Sequence, residues 1–317
     1  MQIAADGRMF FATGAGMVWM YDPATQATTT IATLSVQGGG SVFGLVGMVL
    51  DPGFLTNGWM YLLYNPKAAT GDTTVPYHLW RYTLAAGKLD MASGKKLIEY
   101  TADILKEAGA MRVDHSGGRM AFDAQGNLYF ATGENSWWEL NYGNIDETRI
   151  WYNSLRTAGN TNDLRGKINR IHPEPDGSYT VPEGNLFPAG MAGTRADVGP
   201  QAPAFSAQKG PAGMDEFNAT RTAGNFGWPM FMGPNLPYNN FDYVANKAGA
   251  FFDKNAPVNN SKYNTGLKQL PPARPSILAY GKDSLNNPWT GFLRGGAVPI
   301  TGPISRYHRK NPFGRQA

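Results

Sequence analysis

Four histidines could move a proton near neutral pH in this sequence: His78, His115, His172 and His308. His115 has the most suggestive surroundings, Asp114-His115-Ser116-Gly117-Gly118-Arg119, ahead of a strand over Met120–Phe122. Two glycines after a polar residue let the backbone come close to a ligand or to another strand. One β-hairpin further on, Glu134 follows Thr132-Gly133. Hairpin strands bring their ends together, so the two side chains can meet. A carboxylate on one imidazole nitrogen fixes the tautomer and raises the basicity of the other, which is what a general base needs. The same residues allow a plainer role, with His115 capping a strand through a backbone hydrogen bond. His78, in an alternating strand, and His172, before Pro173 in a turn, read as structural. His308 lies in the basic tail Arg306–Lys310 and reads as solvated. The chain has no His-Glu-x-x-His, no EF-hand loop and no glycine-rich phosphate loop leading into a helix. Gly38-Gly39-Gly40 has no helix after it to receive a phosphate and reads as a loop.

The elements that must position these groups read as strands. Asp6-Gly7-Arg8-Met9-Phe10-Phe11-Ala12-Thr13-Gly14 repeats as Gln125-Gly126-Asn127-Leu128-Tyr129-Phe130-Ala131-Thr132-Gly133, a turn dipeptide launching an apolar strand that ends at Thr-Gly. Asn57–Tyr64 is a looser third copy. Each is followed by an alternating strand, over 17–21, 78–84 and 167–171. Such units recurring every fifty to seventy residues or so have the spacing of propeller blades. Only Thr101–Gly109 could make a helix, too short to anchor a βαβ unit. The stretch Phe187–Met214 holds no strand-length apolar run, which is unusual for a compact domain.

Composition agrees with an all-β chain. Fifteen tyrosines, sixteen phenylalanines and eight tryptophans favour strands, and 39 glycines with 22 prolines supply turns. The net charge of +4 is not clustered, which argues against a nucleic-acid surface. With no cysteine there is neither a disulfide framework nor a thiolate metal site. No apolar run approaches the roughly 18 residues of a membrane span. The chain opens in strand-like sequence without a signal peptide, so its natural N-terminus is expected upstream. Residues 1–317 are expected to form one propeller domain.

Several segments, in order along nearly the whole chain, resemble the soluble quinoprotein glucose/sorbosone dehydrogenases. They are Gly44–Phe54 with Asn57–Tyr64, His115–Phe122 through Gly133-Glu134, Leu164–Ile171, Pro182–Phe187, Asp215–Asn218 and Gly224–Pro229. The resemblance implies a six-bladed β-propeller that oxidises the C1 hydroxyl of aldoses, or sugar aldehydes, with pyrroloquinoline quinone held by calcium. It implies that His115 takes the hydroxyl proton and that Glu134 is its acidic partner. Gly199 and Pro200 match the pair whose backbone carbonyls ligate the calcium, a hard ion that takes oxygen donors. It further implies a sugar substrate, a cytochrome c or quinone electron acceptor, and a periplasmic or extracellular location. Gly227-Trp228-Pro229 is also shared, and reads as a packing turn. Three departures stand out. Between Arg195 and Asp197 the family carries a further strand pair with an arginine facing cofactor and substrate, and that pair is missing. The closing blade, whose basic residues reach the quinone, is missing beyond Pro312. Val42 stands where many relatives have a polar residue. The departures imply a piece of a longer protein or a relative that has lost these parts. On the second alternative the chain is a non-catalytic glycan-binding or scaffold propeller.

Overall fold

The structure, a computed structural model, describes residues 1–38, 43–69, 72–103, 106–107, 110–111, 115–136, 145–195, 214–218, 220–276, 278–281 and 292–293. Among these, three four-stranded antiparallel sheets follow one another along the chain. The first holds β1 (Gln2–Ile3), β2 (Met9–Ala12), β3 (Met17–Asp22) and β4 (Ala27–Thr33). The second holds β5 (Leu45–Leu50), β6 (Trp59–Tyr64), β7 (Thr74–Ala85) and β8 (Lys88–Asp103). A two-residue hairpin, β9 (Lys106–Glu107) with β10 (Ala110–Met111), leads to the third. That sheet holds β11 (Gly117–Phe122), β12 (Leu128–Thr132), β13 (Lys167–Pro173) and β14 (Tyr179–Thr180). In each, neighbours in sequence are neighbours in the sheet, the meander of a propeller blade.

The turns that open the first and third sheets share one mechanism. Gly7 and Gly126 stand at φ +86° and +78°, and their N–H groups donate to the carbonyls of Ala4 and Asp123. The Asp123 carboxylate also accepts the Gln125 and Asn127 N–H groups, which fixes the hairpin before Leu128. The sequence repeat is thus a repeat of turn chemistry.

Packing shows the radial arrangement. First strands touch first strands, β5 lying against both β1 and β11, while the outer β4 lies against the outer β8. At the inner contact a Cβ on Gly47 would come 2.2 Å from the Gly118 carbonyl, so only two bare backbones can approach this closely. The middle sheet is buried on both faces, so β6 is apolar throughout rather than alternating. Its Tyr61 and Leu63 join Leu79, Met120, Phe130 and Ile171 in one core. Met60, Leu62 and Tyr64 join Phe10, Val18 and Ile31 in the other. Arg81 clamps the second sheet to the third. Its guanidinium lies 3.9 Å over the Trp59 ring and donates to the carbonyls of Glu174 and Pro175 at 2.6 and 2.8 Å.

The later part is built of shorter pairings. β15 (Met214–Phe217), β20 (Leu278–Gly281) and β21 (Phe292–Leu293) form a three-stranded sheet. β16 (Phe231–Met232) pairs with β17 (Leu236–Pro237), and β18 (Asn239–Asp242) with β19 (Lys247–Phe251). A third core gathers Ile145, Leu155, Met230, Phe231, Phe241 and Leu270.

Three readings from sequence need correction. The helix expected over Thr101–Gly109 is not formed, because Thr101–Asp103 complete β8 in pairing with Thr74–Pro76 and Lys106–Glu107 belong to the small hairpin. A helical turn does occur at Phe54–Asn57, closed by Gly58 in the left-handed region. His172 lies within β13, paired with Thr180 of β14, rather than in a turn, with Nδ1 3.1 Å from Asn127 Oδ1. The Phe187–Met214 stretch lies largely outside the described residues, as does all of Arg306–Lys310.

Candidate functional site

His115 enters β11, and Glu134 follows β12, its antiparallel partner. Their side chains meet: Nδ1 of His115 lies 2.5 Å from Oε1 of Glu134, with 13% and 4% of the two side chains exposed. With the carboxylate as acceptor, Nδ1 carries the hydrogen and Nε2 is left as the basic nitrogen. Backbone geometry forces this meeting. A Cβ on Gly133 would sit 1.4 Å from the His115 carbonyl oxygen, so the strand ends could not come together with any other residue there. His115 itself stands at φ +57°, in the left-handed region, and its carbonyl accepts the Asn135 N–H at 3.4 Å. The Gly166 N–H donates to the Gly133 carbonyl at 3.0 Å and holds the chain before β13 beneath Glu134.

Behind the pair lies a buried hydroxyl couple. Ser136 Oγ is 3.5 Å from the same Glu134 oxygen and 2.6 Å from Ser154 Oγ, and both serines are fully buried. On the other flank, the neighbouring Ser116 hydrogen-bonds the Tyr77 phenol, whose pKa is pushed up to about 12, chiefly by burial.

A charged cluster adjoins Glu134 through Asn135. Asp103, at the end of β8, takes hydrogen bonds on Oδ2 from Arg156 Nη2 at 2.7 Å and Arg165 Nη1 at 2.8 Å. Arg165 also grips Asp163, with Nη2 2.6 Å from Oδ2. Burial works against the Asp163 carboxylate, but Arg165 holds it below the usual range. Burial also pulls Arg156 below the ordinary arginine value, with Arg165 adding to the effect and Asp103 opposing it. Lys167, fully buried at the start of β13, donates to the carbonyls of Thr157, Ala158 and Arg165 at 2.9–3.3 Å. Burial pushes its ammonium down to about 7, with Asp163 opposing. Beside Lys167 a cavity of about 20 Å³, room for one water, is walled by Phe187, Trp228, Met230 and Leu270. Neither His115 nor Glu134 lines it.

Of the residues singled out from sequence, His115 and Glu134 are brought together; Gly199, Pro200 and Val42 lie outside the described residues. His78 lies in β7 with Nε2 3.1 Å from the Glu99 carboxylate, on the opposite face of the strand from Tyr77. The Gly227-Trp228-Pro229 turn has a cis Trp228–Pro229 peptide, and the Trp228 ring meets Tyr238 edge-on at 6.3 Å. Asn135, Arg156, Asp163 and the buried role of Lys167 were not found from sequence. The density of side chains in Arg156–Lys167 that can hold backbone groups, three of them Asn or Asp, was the signal available.

Blades in sequential meander with touching inner strands define a β-propeller, here with a buried histidine–carboxylate pair at the ends of two neighbouring strands. The chain belongs to the glucose/sorbosone dehydrogenase family, whose model matches residues 1–250. Among curated proteins it is similar to the aldose sugar dehydrogenase YliI of Escherichia coli K12, 26% identical over 205 residues. That match takes in 59% of this chain and 46% of the relative, so the chain spans about half of the curated relative's length. Among solved structures it is similar to the soluble aldose sugar dehydrogenase of E. coli in its apo form, with TM-score 0.51 and 19% identity over 97% of this chain and 86% of that one. It is also similar to the PQQ-bound aldose sugar dehydrogenase of Streptomyces coelicolor, with TM-score 0.50 and 17% identity over 95% and 78%. At these identities the structural likenesses speak for the fold.

Proposed function

We propose that this protein oxidises aldoses or related sugar aldehydes at C1, with pyrroloquinoline quinone as the hydride acceptor. The observation that carries this is the buried His115–Glu134 pair with Nδ1 2.5 Å from Oε1. His115 Nε2 takes the proton of the C1 hydroxyl. Glu134 keeps the other nitrogen protonated and stabilises the imidazolium that results. As that proton leaves, the C1 hydride departs with its electron pair, so a cyclic aldose becomes a lactone. The quinone, when bound, supplies the two-electron sink for that hydride.

Among the described residues no group of three or more His, Asp or Glu side chains is placed to hold a metal ion. The carbonyls of Gly199 and Pro200 are the donors that the family resemblance supplies, and carbonyl oxygen is the chemistry calcium requires. An external acceptor, a cytochrome c or a quinone, would then re-oxidise the cofactor. Among the described residues no helix is long and apolar enough to cross a membrane. A periplasmic or extracellular location, and a single propeller domain over 1–317, complete the proposal.

The test is reconstitution of the full-length protein with pyrroloquinoline quinone and calcium, followed by dye-linked oxidation of a panel of aldoses. Turnover that needs both additions is the expected result. A protein that takes up the quinone and oxidises none of the sugars would overturn the reading.

A further inference from the structure

Asn135 joins several parts of this site. Its N–H donates to the His115 carbonyl. Its Oδ1 accepts the Asp103 N–H at 2.7 Å and Arg165 Nη1 at 3.5 Å. It thereby ties the end of β8, in one blade, to the residues after β12, in the next. It does so from a left-handed backbone at φ +57°, a conformation that Asn and Asp adopt more readily than other side chains. Yet its Nδ2 is buried with no hydrogen-bond partner, and the residue is 5% exposed. An aspartate would accept both hydrogen bonds, better from the arginine, tolerate the same backbone, and leave no orphaned donor. What an aspartate would add is a negative charge next to Glu134.

We propose that Asn135 is a positioning residue for the His115–Glu134 pair, and that its lack of charge leaves Glu134 alone to set the basicity of His115. The inference rests on His115 acting as a base, but not on turnover. Among the described residues, the charges linked to the pair through Asn135 and its partners are those of Asp103 from β8 and of Arg156, Asp163, Arg165 and Lys167 from the 156–167 segment, with the Tyr77 phenol from β7 on the Ser116 side. Asp103 and Asp163 are spent on the two arginines, and the phenol does not titrate near neutral pH. Glu134 is therefore the carboxylate of this set that acts on the imidazole. A second one at position 135 would favour the imidazolium and raise the pH at which His115 titrates.

The experiment is an NMR titration of the histidine imidazoles in the cofactor-free full-length protein, with His115 assigned by its loss in His115→Gln. Asn135→Asp is expected to raise the His115 midpoint by about half to one pH unit, with the unfolding midpoint at pH 7 unchanged or higher. Asn135→Ser, neutral and short, is expected to keep the wild-type titration midpoint. A folded Asn135→Asp variant with an unmoved His115 midpoint would overturn the inference. So would a Ser variant that shifts as far as the Asp one, since charge would not then be the cause. An Asn135→Asp variant that does not fold would also contradict it, because the argument requires aspartate to satisfy the same partners. If the titration shifts as expected while the reconstituted protein oxidises no sugar, the inference stands and the dehydrogenase reading fails.

Discussion

At the level of single residues, the site is a set of close approaches that only particular side chains permit. His115 accepts a left-handed backbone, a conformation that costs a non-glycine residue on the order of 1 kcal/mol. In that conformation its ring reaches Glu134 across the strand ends. Gly133 provides the space, since any Cβ would overlap the His115 carbonyl. The pair was legible in the sequence because a hairpin brings its two ends together whatever the details of the strands between them. Asn135 was not legible. Its importance comes from Asp103 and Arg165, 32 and 30 residues away in sequence, and no local pattern shows such partners. Glu134→Gln tests the carboxylate directly. The amide keeps the size but gives the imidazolium no counter-charge, so turnover should fall about 10²-fold. The acid limb of the pH–rate profile should move to lower pH, because His115 loses the group that raises its basicity. An unchanged pH profile in a folded Glu134→Gln variant would remove Glu134 from the mechanism.

Elements hold these residues through blade-to-blade contacts more than through any one sheet. The blades themselves were readable, because the same Gly turn launches β2 and β12 and the strands that follow carry the apolar residues of the cores. The reading failed where tertiary pairing outweighed local preference. Thr101–Gly109 contains Ala, Leu, Lys and Glu, good helix formers, yet β7 pairs with its first residues and draws them into a sixteen-residue strand. The Phe54–Asn57 turn was missed for the opposite reason, being too short to show a period and lacking a side-chain cap. Arg81 makes the clearest test of the contacts between blades. Its cation–π contact with Trp59 and two charged hydrogen bonds to Glu174 and Pro175 span the second and third sheets. Arg81→Ala should lower stability by about 2–4 kcal/mol, seen as a lower urea midpoint at an unchanged slope. Arg81→Lys should recover only part of this, since an ammonium cannot both stack and fork. A midpoint unchanged in Arg81→Ala would show that the apolar cores alone join the blades.

On the scale of the whole molecule, the family match over residues 1–250 and the sheet order agree that the chain is built as a propeller, with the first strands of successive described sheets in contact. The fold was readable because a propeller repeats one supersecondary unit, so each copy of the turn supports the others. The cofactor's surroundings were less readable, because its proposed ligands Gly199 and Pro200 would act through backbone carbonyls, which leave no signature in side-chain chemistry. A propeller carries many functions, so the dehydrogenase reading must stand on the site. Single-turnover reduction of the bound quinone tests that reading most directly, in full-length protein loaded with pyrroloquinoline quinone and calcium and mixed with glucose. Wild type should reduce the quinone within one turnover. His115→Gln should bind the quinone with similar affinity and reduce it about 10²–10⁴-fold more slowly. Equal rates of quinone reduction in the two proteins would contradict the assignment of His115 as the base.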